Sequence, residues 1–107
     1  MPLATHILKT EIGFWDDINE GRKTFEIRRD DREPKFTVGD TLILLRGSCM
    51  SFEQDSTFLI ATVSYCMRGI QASKYGVMDD YCVLGLTDVW EYDFLDLVTK
   101  SEKQPDD

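Results

Sequence analysis

The sequence predicts a mainly β fold of the α+β kind, a small mixed or antiparallel β-barrel of about five to six strands with one early helix. Three observations lead there. Five short segments, separated by turns rich in glycine and polar residues, have the length and the alternating or apolar character of strands. Before residue 87 only one segment carries helical spacing. The strands also follow one another without the regular intervening helices that a parallel βαβ sheet needs.

Each element follows from local pattern. Thr5–Lys9 reads as the first strand, and Thr10 as the cap of a helix that turns Ile12, Trp15 and Ile18 inward. The helix ends at Asn19-Glu20-Gly21, where glycine suits the left-handed conformation. From Thr24 to Arg29 polar and apolar residues alternate, which predicts a strand burying Phe25 and Ile27 and presenting Thr24, Glu26 and Arg28 together on its other face. A charged loop, residues 30–35, and a turn at Val38-Gly39-Asp40 lead into a buried strand, Thr41–Arg46. After a polar loop at 47–56 comes the longest strand, Phe58–Met67, then a loop at 68–78 and a strand at Tyr81–Leu86. Leu42, Leu44, Val63 and Leu84 join Phe25 and Ile27 in the expected core.

Beyond Leu86 two readings stand. Asp88 and Glu91 have the spacing of a capping box, and Trp90, Phe94, Leu97 and Val98 share one face of a C-terminal helix. Trp90, Tyr92 and Phe94 equally alternate as in a strand. Residues 1–98 are expected to form one domain, with 99–107, charged and lacking any apolar residue, as a disordered tail.

Charge narrows the function. The chain carries −8 overall, yet residues 21–35 hold six of its twelve basic residues and are net positive. A net −8 disfavours non-specific binding to duplex DNA, where phosphate attraction dominates, but leaves room for a compact anion at the cationic island. The face made by Thr24, Glu26 and Arg28 is therefore a candidate site, although a row of charges on a strand also describes an ordinary solvated surface. No apolar run reaches the length of a membrane span, and three scattered cysteines point to reduced thiols and a cytoplasmic setting. With one histidine and no metal-ligand spacing, neither a metal nor a cofactor is expected.

The pattern His6-x-Leu8-Lys9, Gly21-x-Lys23-Thr24-x-Glu26-x-Arg28, Asp31-Arg32 and Val38-Gly39-Asp40, closed by Gly76 and Tyr81-x-Val83-Leu84-Gly85-Leu86, resembles the ASCH superfamily of PUA-like β-barrels. Within it the chain is most similar to a small bacterial and phage family of RNA-binding-like domains, over about residues 5–86. The resemblance implies a cleft between barrel and early helix, lined by the Gly-x-Lys-x-x-Glu-x-Arg residues and binding RNA or a nucleotide-like ligand. Carried over by position, Lys23, Glu26 and Arg28 would line it, with His6, Lys9 and Arg32 as neighbours and Thr24 on the same face. The implied partner is a short single-stranded RNA or nucleotide-like anion.

One ASCH branch deacetylates 4-acetylcytidine. The resemblance places its lysine at Lys23 but its threonine nucleophile at Glu26, and a carboxylate cannot form the same acyl-enzyme, although it can act as a general base. Lys23 and Glu26 are therefore the candidate catalytic pair of an alternative hydrolase reading. A third reading takes the acidic, aromatic segment 90–96 as a protein-interaction surface.

Overall fold

The computed structural model describes residues 2–47 and 57–94. Its elements are β1 (Thr5–Thr10), α1 (Ile12–Asn19), β2 (Phe25–Arg29), β3 (Thr41–Arg46), β4 (Thr57–Arg68), α2 (Gly69–Ser73) and β5 (Tyr81–Asp93). The five strands form one sheet in the order β1-β3-β4-β5-β2, curled into a half-barrel. β1 runs parallel to β3, while the other three pairings are antiparallel. The mainly β, barrel-like α+β fold expected from the sequence is the one observed.

Central strands behave as their alternation requires. Leu42, Leu44, Val63 and Leu84 are fully enclosed in the core, together with Leu59 and Phe36. α1 packs on the concave side through Trp15 and Ile18, and the Trp15 Nε1–H donates to the carbonyl of Leu44 at 2.9 Å. Burying the indole body while satisfying its one donor fixes the helix against β3. Ile12, expected inward, is half-exposed at the opening turn beside Gly47. A helix of little more than two turns reaches the core with only the positions at 15 and 18. Nor does Thr10 cap it; Glu11 is the N-cap, and Thr10 ends β1 as a buried residue.

The phase of β2 is the reverse of the expected one. Glu26 is 4% exposed, whereas Phe25 and Ile27 are 43% and 51% exposed. Residues directly opposite in an antiparallel pair share a face. Glu26 lies opposite Leu84 and Arg28 opposite Cys82, both buried, so these charged residues point into the half-barrel. Alternation reports the period of a strand but not which face is interior. β2 is an edge strand whose inner face meets a polar seam, so the rule that the apolar face goes inside fails here.

The strand reading of the segment after Leu86 holds as far as Asp93. A bulge at Asp88, in the left-handed region at φ 52°, lets Val89 pack against the core. Trp90 then pairs with Ile60 and Tyr92 with Phe58, whose rings stack at 5.7 Å. The helical positions Leu97 and Val98, the expected tail, and the 47–56 loop apart from Gly47 lie outside the described residues. The expected 68–78 loop contains the short α2, which buries Ala72. On the outer face, Ile7, Ile43, Ile60 and Trp90 form one row across four strands, and Thr5, Thr41, Thr62 and Thr87 form the next. No helix among the described residues is long and apolar enough to cross a membrane.

Candidate functional site: the seam between the sheet edges

β1 and β2 are the two edges of the sheet, and one side chain bridges them. Arg28 Nη2 of β2 donates to the Lys9 carbonyl at 2.9 Å and to Thr10 Oγ1 at 3.1 Å, both on β1. The guanidinium thus replaces the ladder bonds that a closed barrel would have made at this seam. Beside it opens a cavity of about 470 Å³, lined by residues of β1, α1, β2 and the start of β5.

Glu26 organises the cavity. Its Oε1 accepts from Lys23 Nζ at 2.6 Å, and its Oε2 accepts from Arg28 Nε at 2.9 Å and Nη2 at 2.8 Å. The carboxylate is buried and both cations are only slightly exposed, so charge-assisted bonds in a protected site hold the three groups in one geometry. The approach of Lys23 is set by the end of α1. Gly21, at φ 84°, reverses the chain, and the backbone N–H groups of Arg22 and Lys23 both donate to the Asp17 carbonyl. The Lys23 ammonium then sits 5.0 Å from the Phe14 ring centroid and 4.7 Å from that of Phe25, and donates to the Phe25 carbonyl at 2.6 Å.

Two cationic donors on this cavity are unclaimed. Lys9 is a lining residue, and neither its ammonium nor Arg28 Nη1 has a hydrogen-bond partner among the described residues. Lys9, Lys23, Arg28 and Arg29 share the lining with Glu11 and Glu26, a net positive set in a protein of −8. Phe14, 47% exposed, and Phe25 add two half-exposed rings.

The site residues expected from the sequence divide into two groups. Lys9, Lys23, Glu26 and Arg28 converge on the cavity, but Thr24, His6 and Arg32 do not line it. Thr24 is exposed, and its carbonyl accepts from Leu86 N–H at 2.9 Å. His6 and Arg32 belong to a cluster at the other end of β1, four residues or about 13 Å from Thr10 along the strand. There His6 Nε2–H donates to Asp40 Oδ2 at 2.8 Å, leaving Nδ1 to face Arg32 Nη1 at 3.4 Å. Arg32 lies over Phe36, whose ring is 4.6 Å from that of His6. Burial alone would raise the Asp40 carboxyl, but the N–H of Ala4, His6 and the N–H of Thr37 outweigh it and hold the group below its ordinary value. This cluster ties the 37–40 turn to β1 and reads as structural.

Among the described residues the thiols, Cys66 and Cys82, are poor nucleophiles. Burial pushes Cys82 up to about 11, and Cys66 is raised for the same reason. Sequence reasoning did not place Thr10, Glu11, Phe14, Arg29 and Tyr81 in the lining, and assigned Phe25 and Ile27 to the core instead. Phe14 carried a legible signal, because an aromatic one position from Trp15 lies off the buried stripe of α1.

Comparison with known families agrees with the extent of this fold. Residues 5–86, from the start of β1 to the part of β5 that pairs with β2, match the family described as Domain of unknown function (DUF3850). No curated protein matches the chain. Because that match spans well over half of its length, the chain belongs to the DUF3850 family.

Proposed function

We propose that the seam cavity binds a short single-stranded RNA or a nucleotide-like anion, without catalysing its turnover. The observation that carries this reading is the pairing, on one open cavity, of unclaimed cationic donors with half-exposed rings: Lys9 and Arg28 Nη1 beside Phe14 and Phe25. A planar guanidinium suits phosphate or a base edge, and aromatic rings accept bases with little regard to sequence. Glu26 holds Arg28 in position rather than meeting the ligand first. The resemblance of the Gly-x-Lys-x-x-Glu-x-Arg segment to ASCH proteins supports the same ligand class. Duplexes bind weakly, because −8 of net charge repels a long phosphate array. Free Cys66 and Cys82 thiols fit a reducing, cytoplasmic setting.

Binding is favoured over hydrolysis by the state of Glu26. Arg28 fills its Oε2, Lys23 already bonds its Oε1, and the residue is almost wholly buried, so a water to be activated has little access to the carboxylate. Calorimetric titration with AMP, UMP and four-nucleotide RNAs tests the reading. Binding that Arg28→Ala weakens at least tenfold supports it, whereas absence of binding to every probe defeats it. Release of acetate from acetylcytidine, lost in Lys23→Ala, would instead establish the hydrolase.

A further inference from the structure

A second cavity of about 260 Å³ adjoins the first, and Ile27 and Tyr81 line both. Its remaining wall is Gly76, Val77 and Met78, so no charged side chain among the described residues lines it. That wall is built rather than loosely draped. Gly76, at φ 92°, turns the chain after α2, Val77 N–H donates to the Ala72 carbonyl at 3.1 Å, and Tyr81 N–H donates to that of Met78 at 2.9 Å. Where the two cavities meet, the Arg29 guanidinium lies 5.6 Å from the Tyr81 ring centroid, with Asp80 at 3.9 Å on the exposed rim.

Along this surface the chemistry runs from cations with rings, to an arginine on a tyrosine, to an apolar pocket. A single strand of nucleic acid presents the matching alternation, a charged phosphate between flat apolar bases. An apolar peptide side chain would fill the second pocket equally well but leave Lys9 and Arg28 Nη1 without a counterpart. Resting on the nucleotide-binding reading of the first cavity, we propose that the second cavity receives the neighbouring base. The ligand is then at least a dinucleotide, whose linking phosphate passes Arg29 at the Tyr81 boundary.

The test compares the adenylate series pA, pApA and pApApApA on the whole chain by calorimetry. A second stacked base is worth about a tenfold gain, so the ratio of the pA to the pApA dissociation constant is expected near ten, with little further change at four nucleotides. In Met78→Asp, a substitution at a residue 67% exposed and outside the core, that ratio falls toward one. A ratio near one in the native protein, or one that Met78→Asp leaves intact, overturns the second subsite while the first stands. Failure of pA, pApA and pApApApA alike overturns the nucleotide reading itself, and this inference with it.

Discussion

Removing the carboxylate of Glu26 should destabilise the fold more than removing the ring of Phe25, the reverse of what their side-chain types suggest. Glu26 accepts three hydrogen bonds from cations, each type worth about 1.5–3 kcal/mol net when the partner is charged. The cations remain 14% and 22% exposed, so they rehydrate in part once the acid is gone. Glu26→Ala is therefore expected to cost about 2–3 kcal/mol, below the ~3–5 kcal/mol for breaking a fully buried pair. Phe25 keeps 43% of its surface in water and leaves no closed cavity when truncated. Phe25→Ser should cost only about 1 kcal/mol. Urea denaturation followed by circular dichroism reads both as midpoint shifts at constant slope. A neutral Glu26→Ala beside a strongly destabilised Phe25→Ser would show that β2 has the opposite phase and that no carboxylate organises the seam.

Three further outcomes follow from the packing. Asp40 is held below its ordinary value of 3.8, so its stabilisation is present above that pH and is lost as pH falls through the folded-state value. The stability gap between native protein and Asp40→Asn should accordingly be widest near neutrality and shrink below pH 3.8; a gap independent of pH contradicts the assignment. At Gly85 a Cβ would meet Ser64 Oγ at 2.9 Å and Tyr65 Cβ at 3.1 Å across the β4 bulge, and the Tyr65 atom is tied to backbone. Gly85→Ala should cost about 1–3 kcal/mol in the same denaturation assay, and a neutral result means that the bulge is looser than described. Trp15 is 3% exposed, so with Trp90→Phe removing the exposed indole the remaining fluorescence should resist iodide, and ready quenching would place α1 elsewhere.

Central strands were legible because they are enclosed on the concave side by neighbours and α1. Leu42, Leu44, Val63 and Leu84 could face only one way, and their alternation located them. β2 was legible as a strand but not in phase, since an edge strand over a polar seam buries its charges. Lys23, Glu26 and Arg28 were readable as a set because strand periodicity puts 26 and 28 on one face and the Gly21 turn brings 23 to them. The contribution of Lys9 and Thr10 was not readable in the same way. They reach Arg28 only through closure of the sheet, a contact eighteen or nineteen residues distant that no local pattern encodes. His6 and Arg32 looked like neighbours of the site in a linear motif. The buried Asp40, anchoring the 37–40 turn, draws His6 into a separate cluster that Arg32 joins.

The central claim is that Arg28, held in place by Glu26, presents its unclaimed Nη1 to an anion in the seam. Replacing Arg28 by lysine keeps the charge but loses both Nη1 and the two hydrogen bonds that fix the guanidinium on Glu26 Oε2. Titration of Arg28→Lys with the four-nucleotide RNA should show affinity reduced about tenfold while the protein remains folded by circular dichroism. Unchanged affinity in a folded Arg28→Lys protein would mean that only charge matters there, and that the seam does not recognise its ligand through Arg28.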